Sequence, residues 1–297
     1  LIYTCYYTTA DGTGQGAGFD NARAAGIIRQ RNANGGRGMI LAIDIGNTNI
    51  CIGGLEGMNS LFSFRMVTRP NCTPDEYTAE LRFLLRRFQF NPDECEGAIL
   101  CSVVPALSNA LAEAVYRLTG HEPLRVGHAI DTGLTFAIDA PERLGQDRIA
   151  DAAAAAAGYP LPCMTVDLGT ATTYNVIDAQ RRFLGGFIVP GVLTSLRAIS
   201  ARTAQLPPIA PEAPARLIGK NTVECLNGGA VFGTAAMLEG LADRVEAELG
   251  APLTVVATGG LAPNILPCCQ RDVQYDADLL FKGLAVLYAR NAGKREK

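Results

Sequence analysis

One pattern is written twice in this chain. "ILAIDIGNTNI" (40–50) and "CMTVDLGTATTY" (163–174) each run from an apolar stretch through an aspartate, one more apolar residue and a glycine into small polar and hydroxyl-bearing residues. The apolar stretches have the length of a buried strand, and the glycine-led polar residues behind them read as a bend. A carboxylate near the end of such a strand is costly to desolvate unless a donor or a cation meets it. Its return about one domain-length later predicts two like-folded halves.

Between and after the two copies, strand and helix signals alternate. Asn49–Leu55 reads as the return strand of a hairpin and Leu61–Met66 as a third strand. "TPDEYTAELRFLLRRF" opens with a Thr cap and a Pro and places Leu81, Leu84, Leu85 and Phe88 on one face, which predicts an amphipathic helix. "GAILCSVVP" reads as a buried strand ended by Pro105, "ALSNALAEAVYRL" as a helix and "PLRVG" as a short strand. A helix starts near Gln146; after the second copy come "RFLGGFIVPG", a helix from Leu193 to about Thr203, and the proline-rich loop "QLPPIAPEAPA". "NTVECLNGGAVFGTAAMLEGLADRVEAELG" predicts a long helix or a helix pair, "LTVVATGGLAP" a strand ending in a glycine turn, and "DLLFKGLAVLYARN" a closing helix. This alternation predicts an α/β fold.

Composition narrows the function classes. With 297 residues, 48% of them hydrophobic, the chain can build a large core and two domains. A net charge of −3 without a basic stripe argues against nucleic acid or a membrane surface as partner. The longest membrane-span candidate, Ala150–Ala157, is short and carries Asp151. Two histidines and nine scattered cysteines without paired CxxC spacing argue against a zinc site and suit a reducing cytoplasm. Residues 1–38, rich in Gly, Asn, Arg and Ala and without period, read as a disordered leader or a non-native upstream segment, with Met39 as the natural start. The expected division is therefore 1–38, a first domain over 39–150 and a second over 151–297.

The bends carry the chemistry. A glycine at a hairpin bend lets backbone N–H groups approach an anion, and Thr48 and Asn49 add side-chain donors. Asp44 beside bound phosphate would repel it unless a divalent cation lies between, which suits Mg²⁺ held through water. Alternatively, Asp44 caps the turn through its own backbone. Two copies plus a third glycine turn, "ATGGLAP", favour nucleotide binding. Neither GxxxxGK[ST] nor a helix-opening GxGxxG after a strand is present.

The stretches "DIGNTN", "SVVP", "GQDR", "DLGTATT", "GGFIVPG", "GKNT" and "ATGGLA", in this order and spacing from Met39 to about Asn291, resemble the type III pantothenate kinases of the acetate and sugar kinase/Hsp70/actin superfamily. The resemblance implies two ribonuclease H-like domains facing across a nucleotide cleft, a homodimer, and ATP-dependent phosphorylation of pantothenate, with Mg²⁺ and a monovalent cation (K⁺ or NH₄⁺). It implies that Asp147 is the catalytic base. Gly145, Gln146, Arg148, Thr222 and Ile138 then fall in the substrate site. Asp44, Ile45, Gly46, Asn47, Thr48, Asn49, Ile50 and Cys51 fall on the ATP hairpin with Thr170 in the second hairpin, and Asp167 falls on the monovalent-cation ligand. Gly259 and Gly260 fall near the nucleotide. Two positions depart from the family pattern: Ile138 stands where a tyrosine is common, and Gln146 where a small residue is usual. From the residues alone, Asp147 also suits a helix cap, Arg148 a surface ion pair, and Asp167 a turn cap.

Overall fold

A computed structural model describes residues 38–203 and 206–294. The expected leader lies outside the described residues but for Gly38. The described residues form two compact units, each discontinuous in sequence: the first takes in 38–132, Ala140–Ala154 and 280–294, and the second takes Gly133–Asp139 and the described residues of Ala155–Leu279. The boundary expected at 150/151 falls inside a helix, Gln146–Gly158.

In the first unit, β1 (Met39–Ile45), β2 (Asn49–Glu56), β3 (Asn59–Val67), β4 (Cys95–Ser102) and β5 (Leu124–Arg125) form one sheet in the order β3-β2-β1-β4-β5. The hairpin strands β1, β2 and β3 pair antiparallel, and β4 and β5 join parallel. Side chains alternate faces along a strand, so Met39, Leu41, Ile43 and Ile45 share one face of β1. They pack on α1 (Pro74–Arg87) through Tyr77, Leu81, Leu84 and Leu85, and on α2 (Pro105–Thr119) through Leu107, Leu111 and Val115. Thr73 caps α1 as its sequence predicts, accepting from Glu76 N while the Glu76 carboxylate accepts from Thr73 N.

The opposite face carries Ile40, Ala42 and Asp44. It is covered by α3 (Gln146–Gly158) and by the closing helix, which follows the second unit in the chain and spans Leu279–Asn291. Glycines let these helices come close: the Tyr288 hydroxyl sits where a Cβ on Gly97 would stand, the Phe281 ring lies 3.1 Å from where one on Gly53 would, and Gly283 touches the backbone of Ala150.

The second unit repeats the plan. Strands β7 (Cys163–Leu168), β8 (Ala171–Ile177), β9 (Arg182–Pro190), β10 (Thr254–Thr258) and β11 (Gln274–Tyr275) lie in the order β9-β8-β7-β10-β11, with the same sense of pairing as in the first sheet. An extra strand, β6 (Thr135–Phe136), joins the free edge of β9. Met164, Val166 and Leu168 pack with α4 (Val192–Arg202) and α5 (Thr222–Leu249). A short helix, α6 (Ala262–Ile265), follows β10, and the closing helix is α7.

The segment expected to be a helix or a helix pair is one helix of 28 residues. The two-residue strands β6 and β11 carry no period long enough to read from sequence.

Candidate functional site

Each unit brings one strand-end aspartate into a polar row. In the first, the register sets Asp44 opposite Cys51 on β2 and opposite Cys101 on β4. All three therefore point to the face that α3 covers. In the second, Asp167 stands opposite Thr173 on β8 and Thr258 on β10. An acid between two short donors is thus common to both halves, thiols in one and hydroxyls in the other.

The bend behind Asp44 is closed by Gly46 N–H donating to Asn49 O at 2.9 Å, while Thr68 Oγ1 donates to Gly46 O at 2.7 Å. Asn47 and Thr48 at its tip are exposed, whereas Ile45 and Ile50 point into the core and hold the hairpin down. Beside it, the fully buried Cys101 thiol donates to the Asp44 carboxylate and feels Asp147 and Asp151 as well. Burial and these three acids push the thiol well above its usual range, so it is a donor and not a thiolate.

The first turn of α3 supplies the other groups. Arg148 N–H donates to Asp147 Oδ1 at 2.8 Å. A methyl group on Gly145 would lie 2.5 Å from that same oxygen, so a residue without a side chain keeps the carboxylate where it is. Burial raises the Asp147 carboxyl above the ordinary range, against the Arg148 N–H and guanidinium, which favour the ionised form. Burial lowers the Arg148 guanidinium, and the charges of Asp147 and Asp151 oppose this. Gln146 turns its carbonyl to the sheet, with Oε1 accepting from Ser102 N at 2.7 Å.

In the second unit, the hairpin after Asp167 is gripped from two sides. Thr170 O accepts from Gly191 N at 3.1 Å and from Thr194 Oγ1 at 2.7 Å. A methyl on Gly259, whose φ is +95°, would fall 2.6 Å from Asp167 Oδ1, and one on Gly191 would fall 2.3 Å from Gly169 O. Thr222 is exposed in the first turn of α5, whose N-cap Asn221 accepts from Glu224 N at 2.9 Å. Ile138 follows β6 and lies over Gly185 of β9, 3.7 Å from where its Cβ would be.

The structure thus gathers Asp44, Cys51, Gln146, Asp147 and Arg148 in the first unit, and Asp167, Thr170 and Gly259 in the second. Sequence reasoning passed over Cys101, Ser102, Asp151 and Gly191. Asp151 was legible as the residue one helical turn after Asp147. Cys101 was not, because its place beside Asp44 is a matter of strand register.

Two sheets of one strand order, each closing its first hairpin behind a strand-end aspartate, define the α/β architecture of the acetate and sugar kinase/Hsp70/actin superfamily. Solved structures agree on that fold. The activator of the 2-hydroxyisocaproyl-CoA dehydratase from Clostridium difficile, with bound ADPNP, has a TM-score of 0.52 at 12% identity over 87% of this chain and 96% of its own. Component A of the (R)-2-hydroxyglutaryl-CoA dehydratase from Acidaminococcus fermentans has a TM-score of 0.51 at 13% identity over 87% and 99%. The family model of type III pantothenate kinases matches residues 40–244. A type III pantothenate kinase from Moorella thermoacetica is 40% identical over 85% of this chain and 100% of its own length, and one from Exiguobacterium sibiricum is 41% identical over 85% and 100%. The chain belongs to the type III pantothenate kinase family.

Proposed function

We propose that the protein transfers the γ-phosphoryl group of ATP to the terminal hydroxyl of pantothenate, giving 4'-phosphopantothenate, the first step of coenzyme A biosynthesis. Family membership supports the reaction, and one observation supports the choice of base: the Asp147 carboxylate is partly desolvated and fixed by its neighbours at the first turn of α3. As the hydroxyl oxygen attacks the γ-phosphorus, its proton passes to Asp147, the bond from that phosphorus to the β–γ bridging oxygen breaks, and ADP leaves. Arg148 supplies positive charge for the pantothenate carboxylate or for charge developing on the phosphoryl group. Gly145 leaves the backbone open to the substrate, and by the family resemblance Thr222 and Ile138 are further pantothenate-binding residues. The hairpin Asp44–Cys51 holds the phosphates with its backbone N–H groups, and Thr170 contacts the nucleotide from the second hairpin.

The carboxylate oxygens of the first unit suit Mg²⁺. Among the described residues no group of three or more His, Cys, Asp and Glu is placed to hold a metal ion. Mg²⁺ keeps several of its waters, so Asp44 would meet the ion through water. When bound, Mg²⁺ neutralises charge on the phosphates. The Asp167 carboxylate, which Gly259 leaves room for, would supply the oxygen ligand of a monovalent cation such as K⁺ or NH₄⁺.

The protein acts as a homodimer. On α5, Gly229, Gly233 and Ala236 form an exposed stripe of small residues, and methyl groups on the two glycines would meet nothing. No helix among the described residues is long and apolar enough to cross a membrane, and the eight described cysteines are all free thiols, as the cytoplasm would keep them.

Asp147→Asn tests the reading. It should bind ATP as the parent does and lose on the order of 10²- to 10⁴-fold in kcat with pantothenate; a variant that turns over pantothenate at the parental rate sinks the assignment of the base.

A further inference from the structure

We infer that Gln146 is a positioning residue for Asp147, acting through its hydrogen bond to the end of β4. The inference rests on Asp147 being the base. Gln146 is the first residue of α3 and Asp147 the second. The first backbone N–H groups of a helix have no partner within it, so what holds that turn from outside fixes where its side chains stand. The Gln146 carbonyl reaches across 44 residues of chain to Ser102 N, at 2.7 Å. Ser102 is buried at the last position of β4, beside Cys101.

The turn that follows Ser102 is itself tied down. Val103 N donates to Ile45 O at 3.0 Å, one residue past Asp44. Ser102 Oγ accepts from Val104 N at 3.1 Å and from Ser108 Oγ at 2.8 Å. The "SVVP" stretch is therefore a bracket, joined to β1 next to one acid and to α3 next to the other. Gln146 makes the second joint, and with it the spacing between the acid on the hairpin and the acid on the helix. A small side chain at 146 has no atom that reaches Ser102 N, so this chain secures the start of α3 by a bond that its own glutamine supplies.

Two consequences follow. Losing the acceptor leaves a buried N–H without its partner and lets the first turn of α3 drift. Misplacing a catalytic group by 1 Å costs on the order of a hundredfold in rate. The ATP hairpin is held by bonds of its own, so nucleotide affinity does not depend on Gln146.

The experiment compares Gln146→Met, which keeps the volume and loses the acceptor, and Gln146→Ala in the full chain. Each is made alone and combined with Asp147→Asn, and kcat, both KM values and the melting temperature are measured. Gln146→Met and Gln146→Ala should lower kcat on the order of ten- to a hundredfold and leave KM for ATP within about twofold. In the Asp147→Asn background the same changes should cost less than about twofold further, because a residue that acts through another adds nothing once that other is gone. Parental kcat in the single variants overturns the inference, and so do equal fractional losses in both backgrounds. Loss of folding in both single variants overturns it too, since the bond would then hold the domain and not Asp147. If Asp147→Asn itself keeps the parental kcat, the base assignment fails first and this inference with it; if Asp147→Asn is crippled while Gln146→Met is not, only this inference fails.

Discussion

Replacing Gly145 with alanine should separate activity from stability. The added methyl would stand 2.5 Å from Asp147 Oδ1, and ordinary contact begins near 3.4 Å, so one of the two must give by about 0.9 Å. The next nearest atom, Arg148 Cγ, is 3.7 Å away and needs no movement. Gly145 is not in the left-handed region, so alanine meets no backbone strain there. The yielding group is the carboxylate, because a side-chain end moves more cheaply than a helix start. The fold therefore survives, while Oδ1 is displaced from Arg148 N, with which it now makes a 2.8 Å hydrogen bond. A shift of this size costs about a hundredfold in kcat, or about 2.7 kcal/mol in the barrier. The assay is steady-state ADP release coupled to NADH oxidation, with pantothenate and ATP varied separately, beside a thermal melt. The expected result is kcat down on the order of a hundredfold, KM for ATP unchanged, and a melting temperature within a few degrees of the parent. A Gly145→Ala protein with kcat within twofold of the parent would refute the reasoning, because the carboxylate position would then not limit the chemistry.

The acid limb of the kcat/KM profile for pantothenate should lie above the ordinary aspartate range of about 3.9, since burial raises the Asp147 carboxyl and the base must be ionised to take a proton; it is read from kcat/KM against pH, which reports the enzyme before substrate binds, and should be missing from the residual activity of Asp147→Asn. The sign for stability is the reverse. Burial favours the protonated form, so this group's contribution to stability is complete below its unfolded pKa and is lost as pH rises through its folded one. Asp167→Asn should abolish stimulation by potassium or ammonium, seen by comparing rates in potassium buffer and in sodium-only buffer; a parent enzyme equally fast in both would remove the cation role given to Asp167.

The local arrangements that follow one another in the chain were legible. Asp44 with its bend, Asp147 with Arg148, and Asp167 with Thr170 are each a local arrangement, set by a strand period, a glycine and a helix start. Local structure is governed by neighbours in sequence, so short motifs report it. The Thr73 cap and the apolar face of α1 were legible for the same reason. The partners of these groups were not. Cys101 flanks Asp44, and Thr258 flanks Asp167, only because parallel strands from distant parts of the chain pair in one register. Ser102 and Gln146 are 44 residues apart and meet only once α3 lies on the sheet.

The sequence by itself determined the doubled strand-and-bend plan, the alternation of elements, and the identity of each aspartate that the plan presents. Tertiary structure alone decided what stands beside those aspartates: thiols on one, hydroxyls on the other, and a glutamine that ties the helix start to the sheet. The physical reason is that hydrophobic periodicity is written along the chain, whereas strand register and helix docking are settled by packing between segments far apart in it.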